Sequence, residues 1–186
     1  DVIAGLVVHQ LANPGAPFIY GVCVAPFDMK TAVEAYGAPE HYPGDALNVQ
    51  IAQYYELPTW GYGADSDSKI LDLQAAMEYM GSILFGMLSH CNLLHDVGYL
   101  ESGITASCES IVFGNEVIEF CRRMLKSVSF DKDALALDSI KNTGPNMTFM
   151  TEEYTLKHIR DFWYSPLIDR EHYSMWNKKG RFSMFD

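Results

Sequence analysis

The stretch SHCNLLHDVGYLESGITASCESIVFGNEV, residues 89–117, decides the fold. A short apolar run at residues 91–94 opens into a loop holding a His-Asp pair, two glycines, an aromatic ring and an acid. Apolar residues then recur at helical spacing from 104 to 125. This pattern predicts a strand, a polar loop and a helix. In α/β proteins the loop after a strand's carboxyl end is where ligands bind, so His95, Asp96 and Glu101 are candidate functional groups. Two structural explanations stay open: Asp96 or Ser102 caps the following helix, and His95 is a hydrogen-bonded core residue.

The same plan occurs twice upstream. A first helix ends at Asn13-Pro14-Gly15, a strong stop signal. Residues 17–25, PFIYGVCVA, read as a buried strand opening into a loop at Pro26-Phe27-Asp28. A Gly/Pro-rich linker over 36–44 precedes a helix over 45–55. Residues 57–61 read as a second strand, and 62–68 as its loop. An amphipathic helix over 69–89 follows, capped by Ser66, Asp67 or Ser68, with a Met-rich stripe that packs into the core. Strands alternating with helices of this length predict a parallel sheet. Asp28, Asp65, Asp67, His95 and Asp96 would then share one mouth at the strands' carboxyl ends.

The expected fold class is α/β: parallel strand–helix repeats forming about the C-terminal half of a (β/α)8 TIM barrel. A complete barrel needs about 250 residues, and this chain has 186. Residues 1–130 would form the half-barrel. Residues 131–186 would supply final barrel elements and a C-terminal wrapping segment, with helices over 131–141 and 153–164 and a short strand over 147–150. The chain opens without Met, directly in a helical pattern, and so reads as the later portion of something longer.

Thirteen Lys and Arg against 24 Asp and Glu give a net charge of −11, which repels phosphate backbones and anionic membranes. No nucleic acid and no membrane partner is expected. The four cysteines lack CxxC spacing, so neither a metal site nor a disulfide framework is indicated, and a cytoplasmic setting follows. Cys91 and Cys121 lie in apolar runs and read as small buried hydrophobes. GxGxxG, P-loop, HExxH, GxSxG and the cobalt-ligating DxHxxG are all absent from the sequence. Aromatics near the strand ends (Phe27, Trp60, Tyr62 and Tyr99) are either rim packing or faces for a quaternary ammonium.

Residues 57–69 (LPTWGYGADSDSK), 92–104 (NLLHDVGYLESGI) and a tail of TGP, YTLKHIRDFWYSPLIDR, Trp176 and Gly180 resemble the trimethylamine methyltransferase (MttB-type) family. The resemblance runs along the whole chain and corresponds to the later part of the family's barrel. It implies methyl transfer from a methylated amine to Co(I) of a separate corrinoid protein, with no cofactor bound directly by this chain. Residues 59–63 (TWGYG) are all standard amino acids, which places the resemblance with the nonpyrrolysine branch and implies a quaternary amine such as a betaine. His95 and Asp96 are the expected catalytic residues. Thr59, Trp60, Tyr62, Tyr99, Asp28, Asp65 and Asp67 are the expected substrate-binding residues. One departure stands in the tail, where Tyr154-Thr155 replaces an expected His-Thr. A half-barrel leaves strand edges unpaired, so a homo-oligomer is also expected. The competing readings are a non-catalytic binding module of the same family and an unrelated barrel enzyme using His95 and Asp96 as a base pair.

Overall fold

The computed structural model describes residues 1–21 and 23–186, in two compact units spanning 1–125 and 126–186. Val22, inside the first expected strand, lies outside the described residues.

The first unit opens with helix α1 (Val2–Ala12), which stops where Asn13 turns extended ahead of Pro14-Gly15. Strand β1 is only Tyr20–Gly21, much shorter than the expected 17–25. The chain then makes a small antiparallel hairpin, β2 (Phe27–Asp28) with β3 (Val33–Glu34). Helix α2 runs His41–Tyr54, so the expected linker contains its first turn. Pro43 reads as a breaker in sequence, yet a first-turn proline has no N–H that the helix would use. Strand β4 (Thr59–Tyr62) is followed by helix α3 (Leu73–Leu88). The cap of α3 is Asp72, whose carboxylate accepts from the Ala75 N–H at 3.0 Å, rather than residues 66–68. Strand β5 (Leu93–His95) follows, then a hairpin of β6 (Tyr99–Leu100) and β7 (Thr105–Ala106). That hairpin displaces the expected helix start at 104. Helix α4 begins at Cys108, capped by Ser107 rather than by Asp96 or Ser102, and runs to Met124.

Strands β1, β4 and β5 form one parallel sheet in that order. Tyr20 pairs with Thr59, Trp60 with Leu93, and Tyr62 with His95. The architecture is α/β, with parallel strands joined through helices. Side chains alternate across a strand, so the two faces of the sheet are read directly from the packing. Leu94 packs against Gly86 of α3 and against Gly63, and Thr59 and Gly61 share its side. Trp60, Tyr62, Leu93 and His95 therefore take the opposite face.

Close approach of the helices rests on small residues. A Cβ built on Gly86 would lie 2.7 Å from Leu94 Cδ2, and one on Gly114 of α4 2.8 Å from Val97 Cγ1. The core gathers Ala64, Ala75, Tyr79, Ile83, Leu100, Val117 and Cys121, with Met80 and Met87 packed against it. Met77, expected in the same stripe, is 69% exposed because it falls on the outer side of α3. Cys121 is buried as expected, but Cys91 is only half-buried.

In the second unit the expected helix over 131–141 is broken into α5 (Lys132–Leu135) and α6 (Leu137–Thr143) by Ala136 in the left-handed region. Residues 147–150 form no strand. Helix α7 (Glu153–His158) passes into a 3-10 turn (Ile159–Asp161), and α8 is Tyr173–Lys178. The expected helix over 153–164 ends early, and Trp163 is instead held by Arg170, whose guanidinium donates to its carbonyl at 2.6 Å.

Replacing Gly86 by Ala forces Leu94 out of the α3–β5 contact. Denaturant unfolding should show a loss of about 1–3 kcal/mol, the usual cost of overpacking a filled core. An unchanged midpoint would mean that α3 and β5 are not in close contact.

Candidate functional site

The candidate site stands at the carboxyl ends of the three parallel strands, on the face of the sheet opposite Leu94 and Gly61. Trp60 and Tyr62 come from β4 and His95 from the end of β5. The His95 ring lies 4.5 Å from Tyr62 and 5.2 Å from Trp60, centroid to centroid. Tyr36, which follows β3, stacks on Tyr62 at 5.6 Å. Cys23, in the loop after β1, lies near enough to Tyr62 and Tyr36 for their hydroxyls to act on its thiol. Burial pushes the Cys23 thiol up, opposed by a hydrogen bond from the Ala25 backbone. Burial likewise holds the Tyr62 hydroxyl above its ordinary range, helped by Cys23 and then by the negative charge of Asp96.

Asp96 occupies the left-handed region at φ +70° and turns its carboxylate back onto the preceding residue, with Oδ1 2.7 Å from His95 Nδ1. A carboxylate on Nδ1–H orients an imidazole and leaves Nε2 available to a ligand. His95 and Asp96 are both partly exposed at this edge, with side-chain exposures of 27% and 21%.

The other expected residues divide. Asp65 is 4% exposed, and its Oδ1 has no hydrogen-bond partner among the described residues. Burial pushes its pKa up to about 7; a Ser66 backbone hydrogen bond opposes this, while the carboxylates of Asp96, Asp67 and Glu78 add to it. Asp67 is a structural linker: Oδ1 accepts from Tyr36 N–H at 3.0 Å and from the Ser102 hydroxyl at 2.8 Å, and Oδ2 from Gly37 N–H at 3.0 Å. Thr59 is not in the ring cluster. It is 2% exposed at the opposite end of β4, and Asn92 engages both its N–H and its hydroxyl. Asp28 closes the turn of the β2–β3 hairpin by accepting from Lys30 N–H at 2.8 Å, which lowers its pKa. Tyr99 bridges to Asp65 through the backbone, and its carbonyl accepts from the Tyr79 hydroxyl at 2.8 Å. Glu101 sits in the left-handed region, with its N–H bonded to the Ser68 carbonyl.

Sequence reasoning missed Cys23, Tyr36, His41 and Asp45. His41 and Asp45 stand one helical turn apart, a legible signal had the helix start been placed correctly. Tyr36 and Cys23 reach the site only through chain reversals that no local pattern announces. Among the described residues no group of His, Cys, Asp and Glu is arranged to hold a metal, and no helix is long and apolar enough to cross a membrane.

A carboxyl that keeps its proton to higher pH folded than unfolded makes stability fall as pH rises between the two values. For Asp65 that window runs from the ordinary 3.8 to about 7. Asp65→Asn should therefore gain on the wild type across the window, at up to about 1.4 kcal/mol for each unit of pH, and hold the gain above it. Thermal melts from about pH 4 to 8 check this; equal differences at both ends would remove Asp65 as the buried proton holder.

Residues 1–186 match the family described as trimethylamine methyltransferase (MTTB). The chain is 34% identical over 180 residues to trimethylamine methyltransferase MttB of Desulfitobacterium hafniense, covering 97% of this chain and 36% of that protein. It is 34% identical over 181 residues to a glycine betaine methyltransferase from another strain of that species, covering 96% and 38%. Against trimethylamine methyltransferase MttB of Methanosarcina thermophila it is 33% identical over 181 residues, covering 97% and 37%. The chain thus spans little more than a third of the length of these relatives. With the match running from the first residue to the last, the chain belongs to the trimethylamine methyltransferase family.

Proposed function

We propose that this chain supplies part of the substrate site of a corrinoid-protein-dependent methyltransferase acting on a quaternary methylated amine such as a betaine. The observation that carries this reading is the cluster of Trp60, Tyr62, Tyr36 and His95 rings at the strand ends, beside Asp96 and Asp65. Ring faces attract an ammonium by roughly 0.5–2 kcal/mol each, more where water is excluded. The nearby carboxylates favour a cation further. The three-stranded sheet is proposed as one sector of a (β/α)8 barrel, with Trp60, Tyr62 and His95 facing its interior. The sheet ends at β1 and β5, so pairing with further strands or a second copy is part of this reading.

In the proposed reaction the C–N bond breaks and its electron pair stays on nitrogen, so the amine departs neutral. A separate corrinoid protein supplies the electron pair that accepts the methyl group. This chain's part is positioning. The rings hold the ammonium, and His95, oriented by Asp96, presents Nε2 to the polar end of the substrate. Relatives named for trimethylamine and for glycine betaine match equally well at 34% identity, so identity does not choose the amine. The quaternary choice rests on the ring cluster and on the standard residues over 59–63.

The second reading is a binding module of the same family without turnover. The chain is to be mixed with a Co(I) corrinoid protein and a panel of methylated amines, with bound and demethylated amine both measured. Binding of a quaternary amine, with His95→Ala weakening it by on the order of 1.5–3 kcal/mol, is the expected result. Demethylated product supports the enzyme, and binding without product supports the module. No binding of any methylated amine would overturn both.

A further inference from the structure

Behind the ring cluster lies a buried polar pair on α2. His41 is 2% exposed, and neither ring nitrogen has a hydrogen-bond partner among the described residues. Its Nε2 lies 3.3 Å from Asp45 Oδ2, and Asp45 Oδ1 is likewise buried without a partner. Both line a cavity of about 20 Å³ that also touches Tyr62, Tyr42 and Ser82, with room for a single bridging water. A buried polar pair of this kind adds little to stability compared with apolar residues of the same volume. Its position relative to the site suggests another use. The His41 ring meets Tyr62 edge-on at 5.9 Å and Tyr36 at 5.6 Å, the two rings that stack on each other. The Asp45 carboxylate acts electrostatically on His95, Tyr62 and Cys23. Among the described residues that line the cavity there is no lysine or arginine.

We propose that His41 and Asp45 are positioning residues that fix Tyr62 and hold a negative charge behind it, so that the ring cluster selects a permanently cationic head group over an uncharged one of the same shape. This rests on the substrate reading given under Proposed function. Burial raises the Asp45 pKa, His41 is the first of the groups that oppose the rise, and Tyr62 carries the effect of the carboxylate to the bound cation. Asp45 and His41 touch the substrate nowhere, so their influence must appear as charge selectivity.

Choline and its uncharged carbon isostere dimethylbutanol are the probes, titrated into the whole chain at about pH 8 with ring proton signals as the readout. The wild type should prefer choline. Asp45→Asn should cut choline affinity about fivefold to tenfold while leaving the isostere within about twofold. His41→Phe keeps a ring against Tyr36 and Tyr62 but leaves Asp45 unpaired, and should show the same selective loss. A merely structural role would weaken both ligands together, which overturns the proposal, as does choline binding unchanged in both folded variants. If choline binding depends on Trp60 but not on Asp45 or His41, this inference alone fails. If the wild type binds neither choline nor any other methylated amine, the substrate reading falls with it.

Discussion

The Asp67 carboxylate accepts from the Tyr36 and Gly37 backbone N–H groups and from the Ser102 hydroxyl, while its own N–H donates to Glu78 of α3. Glu78, 6% exposed, also accepts from the Ser66 hydroxyl and from Gln74. These two acids join four segments distant in sequence: the turn after β3, the loop after β4, helix α3 and the loop before β7. The remaining geometry depends on that junction. It brings Tyr36 over Tyr62, and it fixes the loop that carries Asp65. Gly37 is part of the same constraint, because a Cβ there would sit 2.2 Å from the Glu78 carboxyl carbon. Two acids fully engaged in hydrogen bonds are thereby distinguished from Asp65, an acid with an open oxygen.

The second constraint is the alternation of side chains along β4 and β5. Leu94 and Gly61 face the helices, so Trp60, Tyr62 and His95 must face the other way. A one-residue slip in register would bury His95 against α3 and remove the ring cluster. Register is held where Asn92 ties itself to Thr59 at the start of the strand pair. Thr59 thus serves the site by setting register rather than by touching a ligand.

Much of this was legible in the sequence, and the misses share a physical cause. The three strand–helix units and the parallel sheet followed from periodicity, because apolar spacing reports burial directly. His95, Asp96, Trp60 and Tyr62 followed from their place at strand ends. Boundaries failed where a side chain had two uses. Ser66 and Asp67 look like caps but bind other segments, and Asp72 caps instead. Residues 104–106 look like the start of a helix, but the left-handed Glu101 and Ser102 turn the chain so that they pair in a hairpin with 99–100. Tyr36 and Cys23 were invisible because their contacts with Tyr62 span long stretches of chain. In residues 126–186 none of the helices buries a residue, so periodicity had little to report there.

The central claim is that an ammonium sits against the rings of Trp60 and Tyr62 at the strand ends. The most direct measurement is a crystal structure of the chain soaked with tetramethylammonium. The account predicts the cation within about 6 Å of both ring centroids, on the face opposite α3. An ordered cation elsewhere, with that face empty at saturating concentration, would contradict it.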